Sequence, residues 1–319
     1  MQTDRSRYYS FILESAWRSE KVNTTEWLQQ WGTQRCGAES AAAREAWALL
    51  ASTVYADSQA AVYEHHMGYC PTTMPDGSGW DRQKGAERPK WYNHTDLYDA
   101  WGLLIAAAEG CPESDAFTFD LVDVGREWLS ITPCNDAYDA LMNASTPQDL
   151  TAANATMSEV MSDLDRLLAS SSGFLLGQWI ADARKLAESA GSPQDSDFME
   201  WNARSQVTSW FPVQGTGPDC EGTAAKLDGL WDYGNKAWAG LVHGYYDRRY
   251  QLYADSKMRS LLRRGDDGND AEEKEQVAYI ASVMRAACEF GHETGAALPS
   301  TPTGDALSIA KELYQKYHP

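Results

Sequence analysis

Apolar residues in this 319-residue chain recur at helical rather than strand spacing. In "DLYDAWGLLIAAA", Leu97, Trp101, Leu104 and Ala108 fall on one stripe. The segment from Thr146 carries the fullest signature. Thr146 suits an N-cap, Pro147 the first helical position and Asp149 the first turn. Leu150, Met157, Val160, Met161, Leu164, Leu167 and Leu168 then share a face, and the run from Ser170 to Gly173 ends it. A last helix starts near Asp305 and turns Leu307, Ala310, Leu313, Tyr314 and Tyr317 inward. No run alternates long enough to make a strand. The pattern therefore predicts an all-α fold, a large antiparallel helix bundle or array spanning residues 1–319 as one domain.

Three stretches lack any period. Residues 70–89 and 212–229 are rich in Gly and Pro, and 263–273 ("RRGDDGNDAEE") is a charged, solvated connector. Loops this long in a helical domain more often form functional rims than arise by accident. No repeat of fixed period is visible.

One helical pattern carries an unusual load. "LWDYGNKAWAGLVHGYYDRRY" (230–250) holds Trp231, Tyr233, Trp238, Tyr245 and Tyr246, and its start clusters Asp232, Asn235 and Lys236. Read as a helix from its first residue, it pairs Asp232 with Lys236 at i,i+4. Gly234, Ala237, Gly240 and Gly244 would let neighbouring helices come close.

Composition narrows the possible functions. Hydrophobic content of 43% and charged content of 23% are globular values. Thirteen Trp and 16 Tyr fit either large packed helices or stacking on sugar rings, and composition favours packing. The net charge of −19 repels nucleic acid and anionic membrane surfaces. Arg248 and Arg249 form a local basic spot that could hold an anionic group. Six scattered cysteines without a CxxC pair give no zinc-ribbon or thioredoxin-like signature. Sequons at Asn23, Asn93, Asn143 and Asn154 point to the secretory pathway. Yet "MQTDRSRYYSF" has no apolar signal core, and no apolar run reaches membrane-spanning length. The expectation is an upstream piece that carries the targeting signal.

Local motifs supply little chemistry. Asp120 and Asp123 lie three apart on one helix face with Arg126 three further on. Acid–base work is conceivable there, but ordinary i,i+3 ion pairing is the simpler use. "HHMGYC" (65–70) puts adjacent histidines in divergent directions and makes a poor metal site. No G-x-S-x-G and no P-loop is present. The residues themselves call for no catalytic set, metal or cofactor.

Longer stretches carry a family resemblance. "FTFDLVDVGREWL", "LDRLLASSSGFLLGQWIADAR", "DFMEWNARSQVTSW", the 230–250 segment and the terminal "AKELYQKYHP" occur in one order. Together they resemble the C-terminal helical domain of the alpha-N-acetylglucosaminidases, and "ESAWRSEKVNTTEWLQQWGTQRCG" and "WYNHTDLYDAWGLL" fit the same family. The resemblance covers nearly the whole chain.

The resemblance implies a retaining glycosidase that removes terminal α-linked N-acetylglucosamine, as in heparan sulfate degradation. In that family a (β/α)8 barrel precedes the helical domain and supplies two catalytic glutamates. Residues 1–35 then read as the segment that follows the barrel, and this chain holds neither glutamate. The expected chain is a truncated or separately encoded C-terminal half, inactive by itself and partnered by a barrel in cis or trans. The helical domain closes one side of the substrate pocket, and its contributing positions match Trp210, Leu230 and Tyr233. The family joins the tryptophan to its "LDYANK"-like stretch by a shorter loop than 212–229, which bears on specificity. Strong negative charge favours a neutral glycan over polyanionic heparan sulfate. A face that covers a barrel would be apolar and could make the isolated chain oligomerise. The implied location is the lysosome or vacuole, or outside the cell. The competing expectation is a stand-alone, non-catalytic helical binding or scaffold protein that kept the fold without the chemistry.

Overall fold

The computed structural model describes residues 5–56, 70–72, 74–75, 92–112, 114–210, 220, 232, 234–263 and 269–319. Its α-helices are α1 (Arg5–Ser15), α2 (Thr24–Cys36), α3 (Ala41–Ser52), α4 (His94–Ala107), α5 (Asp115–Leu129) and α6 (Asn135–Asn143). They continue as α7 (Pro147–Ala169), α8 (Leu176–Ser189), α9 (Ser196–Gln206), α10 (Arg248–Leu262), α11 (Asn269–His292) and α12 (Ala306–Lys316). Among the described residues the one β contact is an isolated parallel bridge between Leu175 and Ala239. The fold is all-α, as the apolar period predicts.

The predicted caps form. The Thr146 hydroxyl accepts from the Asp149 amide and starts α7, and Pro147 opens the helix where its missing N–H costs nothing. The Asp305 carboxylate accepts from the Ser308 amide and starts α12. Asn23 and Asn93 cap α2 and α4 in the same way. Such caps are worth about 1 kcal/mol each and fix where each helix begins.

Helices α2, α3 and α4 pack in succession, and α5 lies centrally against α2, α4, α7 and α12. Around that centre α6 and α10 flank α7, while α8–α9 and α11 close the other side. Indole and phenol rings fill the middle. Trp101 and Trp128 are buried, and Gly125 exists to admit Trp101, since a Cβ there would sit 2.6 Å from the ring. Tyr314 of α12 stacks on Tyr98 of α4 with centroids 4.0 Å apart, and the Tyr98 hydroxyl donates to the Tyr314 carbonyl at 2.8 Å. Most of the described tryptophans thus go into packing. Among the described residues Trp17, Trp179 and Trp210 are the exceptions, with exposed faces.

All six cysteines are paired: Cys36–Cys111, Cys70–Cys134 and Cys220–Cys288. Each closes a loop of 64 to 75 residues. In the chain-entropy picture each bridge stabilises by roughly 4 kcal/mol. Two of them anchor stretches that look unpatterned in sequence, at Cys70 and at Cys220. Among the described residues no helix is long and apolar enough to cross a membrane.

Two expectations need correction. The charged connector is shorter than 263–273, because α11 already begins at Asn269. More consequentially, the 230–250 pattern is not one helix. Residues 235–238 are irregular, Val242–Asp247 is π-helical, and α-helix starts only at Arg248. Three backbone facts explain this. Asp232 has φ +60, Gly240 has φ +86, and a Cβ on Gly234 would fall 2.3 Å from the Gln206 carbonyl oxygen. The Ala239 amide also donates to the Phe174 carbonyl at 2.8 Å, which diverts the backbone from a helix. The small residues read as helix-packing positions are therefore, at Gly234 and Gly240, sites of special backbone geometry.

Candidate functional site

Asp120 and Asp123 are both buried. Asp120 receives two bonds from Arg35 of α2, from Nε at 2.8 Å and Nη2 at 2.7 Å. Asp123 receives Arg126 Nε at 2.9 Å, and Arg126 also bonds Glu127 at 2.9 Å. The i,i+3 pairing holds for Asp123, whereas Asp120 is taken by a residue 85 positions away. Both are structural. His65 and His66 lie outside the described residues, and Cys70 is committed to a disulfide. Cys220, Cys288 and His292 place ligand-type atoms within 4.8 Å of one another, but both sulfurs are tied up in a disulfide.

The turn after α9 is different in kind. Among the described residues the non-glycine positions with positive φ are Trp210, Cys220 and Asp232. For Trp210, at φ +66, the left-handed conformation costs of order 1 kcal/mol, a strain that other contacts must offset. The Trp210 amide donates to the Ser205 carbonyl at 2.7 Å, and the side chain stays 40% exposed. Its ring lies on Gly234, where a Cβ would come within 2.6 Å of it. The structure thus brings Trp210 together with the turn around Gly234. Leu230 and Tyr233, the other two expected contact positions, lie outside the described residues.

A buried frame holds that turn. Asp232 does not pair with Lys236; its Oδ2 receives Arg249 Nη1 at 2.5 Å, seventeen residues on. Arg249 Nη2 also donates to the Thr72 carbonyl at 2.8 Å, and the guanidinium lies over the Tyr245 and Tyr246 rings at 4.9 and 4.7 Å. The Asp232 amide donates to the Thr208 carbonyl, and the Asn235 amide to the Asp232 carbonyl. The Tyr246 hydroxyl accepts from the Lys236 amide. Arg249 is thus consumed internally and is no docking point for an anion, and Arg248 pairs with Glu289 on α11. This role for Arg249 was not legible in sequence, because its partners come from three separate stretches of chain.

Buried acids give the domain a pH signature. Burial pushes the carboxyls of Asp165, Asp232 and Asp247 above their ordinary range, against the Gly240 and His243 amides, Arg249, and Ser158 respectively. Asp163 and Glu200 move the other way: burial is outweighed by Lys316, Tyr317 and Arg166 at the first, and by the Gly295 amide, Arg204 and Arg184 at the second. A raised carboxyl binds more protons folded than unfolded, so it adds stability as pH falls from neutrality through its folded value. A lowered one loses its stabilisation as pH drops below about 4. The expected thermal midpoint therefore rises from pH 7 toward mildly acid pH before it collapses. A midpoint that falls steadily from neutrality in a pH series of thermal melts would contradict this.

Of the sequons, Asn23, Asn93 and Asn143 are exposed, while Asn154 is half-buried within α7. The first three offer room for a glycan.

The fold is thus an all-helical domain with a framed, tryptophan-bearing turn. The chain matches the family model described as the alpha-N-acetylglucosaminidase C-terminal domain over residues 27–316, and it belongs to that family. Human alpha-N-acetylglucosaminidase is 30% identical over 98% of this chain. Among solved structures, a family 89 glycoside hydrolase from Clostridium perfringens with 2-acetamido-1,2-dideoxynojirmycin aligns with a TM-score of 0.73 at 21% identity, over 97% of this chain. The same organism's enzyme with GlcNAc-alpha-1,4-galactose, described as its substrate, aligns with a TM-score of 0.72 at 20% identity, also over 97% of this chain. The chain spans 38% of the human protein and 33% of each of these clostridial chains.

Proposed function

We propose that this domain forms one wall of a pocket for a terminal α-linked N-acetylglucosamine, with Trp210, Leu230 and Tyr233 as its contact residues. The observation that carries the reading is Trp210: a half-exposed indole held in a strained backbone conformation against a glycine of the neighbouring turn. A flat indole stacks on a sugar face, and a phenol beside it adds a hydrogen-bonding group. The ligands of the clostridial structures, an N-acetylated iminosugar and GlcNAc-alpha-1,4-galactose, are of that chemical class. Neutral glycans of this type suit a chain of net charge −19 better than heparan sulfate does.

The reaction is hydrolysis, and the carboxylates that perform it come from a (β/α)8 barrel in cis or trans. Asp232, the carboxylate described at the Trp210 turn, is buried against Arg249 and so is structural. Three disulfides and exposed sequons favour an oxidising, secretory route to a lysosome, a vacuole or the cell exterior. An apolar stripe on α1 and just beyond it, formed by Tyr9, Ile12, Leu13 and Trp17, is consistent with contact to a further body, whether the barrel or a second copy.

The test is release of nitrophenol from a nitrophenyl α-N-acetylglucosaminide. The 319-residue polypeptide alone is expected to give no turnover, and the same polypeptide joined to a catalytic barrel is expected to give turnover. Robust turnover by the isolated polypeptide would place the chemistry in this domain and overturn the reading.

A further inference from the structure

Arg249 is a cation with 0% exposure. Burying an ion pair rarely gains stability over a well-packed apolar pair, because desolvation consumes most of the Coulombic gain. Its usefulness must be sought in geometry. The guanidinium ties Asp232 at 2.5 Å to the Thr72 carbonyl at 2.8 Å, and it sits over two phenol rings, one of which bonds the Lys236 amide. Thr72 is two residues from Cys70, which is itself fixed to Cys134 at the α5–α6 junction. Asp232 stands in a left-handed conformation, and its amide is bound to Thr208, two residues before Trp210. The residues on either side of Tyr233 are therefore both held: Asp232 by Arg249 and Thr208, and Gly234 beneath the Trp210 ring.

We infer that Arg249 is a positioning residue that sets Asp232 and Gly234 against Trp210 and so shapes the sugar-facing wall from behind. This rests on the pocket reading above. Groups a few tenths of an ångström out of place lose much of their value, so supporting residues of this kind matter as much as the contact residues they hold. Lysine cannot replace the fork, because one ammonium cannot span the carboxylate and the carbonyl with the same planar geometry.

The experiment uses the chain itself, labelled with 5-fluorotryptophan, with the Trp210 fluorine signal assigned by Trp210→Phe. Arg249→Lys is expected to move or broaden the Trp210 resonance while leaving Trp101 and Trp128 unchanged. A Trp210 signal that stays in place in folded Arg249→Lys and in folded Asp232→Asn would overturn the inference, and the isosteric Asp232→Asn keeps the test open if Arg249→Lys does not fold. In an enzyme assembled with a barrel, both variants are expected to lower kcat/KM about tenfold, measured at equal distance below each variant's own Tm. A kcat/KM within twofold of the parent would make Arg249 merely structural. If Trp210→Ala also leaves kcat/KM unchanged, the pocket reading itself is what fails, whatever the fluorine signal does.

Discussion

Replacing Tyr245 with alanine is expected to destabilise the domain by about 3–5 kcal/mol, the usual cost of truncating a fully buried aromatic. The ring has 0% exposure. It tilts against Tyr246 at 5.2 Å and Phe290 at 5.5 Å, and one face lies under the Arg249 guanidinium at 4.9 Å. Removing it leaves a cavity in the core and strips a buried cation of one of its favourable faces. For a domain of this size the loss corresponds to a fall in Tm of roughly 10 °C. Tyr245→Phe keeps the packing and should cost far less. Thermal melts followed by far-ultraviolet circular dichroism check both. A loss for Tyr245→Ala below about 1 kcal/mol would mean that the π-helical segment is not the packed element described here.

That contrast between packing and presenting aromatics is also where sequence and structure part company. The helices with strong local signals were legible. Thr146, Pro147 and Asp149 announce α7, Asp305 announces α12, and the apolar faces that follow are the buried ones. Such signals are local, since a cap and a 3.6-residue period need only neighbouring residues. The 230–250 segment misled for the same reason. Its spacing mimics a helix, but the backbone there answers to distant partners: the Phe174 carbonyl, the Thr208 carbonyl and Arg249. Likewise Asp120 looks available for chemistry until Arg35, 85 residues earlier, claims it. The three disulfide pairings join positions 64 to 75 residues apart and leave no local trace. At the candidate site, only Trp210 of the three expected contact residues lies among those described, and its position came from family resemblance rather than any local pattern. Two physical hints were nonetheless in the chain. A tryptophan directly before a Pro/Gly-rich loop is poorly placed for a core, and the "DYG" that follows the loop is turn-forming chemistry.

Trp210→Ala is the second large effect, and it should fall on function instead of stability. Trp210 is 40% exposed with its ring against Gly234, so its loss leaves a gap open to solvent, and the strained backbone at φ +66 is unchanged in alanine. The expected stability change is below about 1 kcal/mol, as for a rim aromatic. Loss of a stacking wall costs about 2 kcal/mol of binding in the transition state, which is roughly a thirtyfold drop in kcat/KM. The decisive measurement is therefore a paired one on the enzyme assembled with its barrel: kcat/KM for a nitrophenyl α-N-acetylglucosaminide and Tm, each for Trp210→Ala and the parent. The expected result is a kcat/KM reduced at least tenfold with a Tm within a few degrees of the parent. A Trp210→Ala enzyme that melts as early as Tyr245→Ala, or one that keeps full kcat/KM, would show that this indole belongs to the core or to nothing, and not to a sugar pocket.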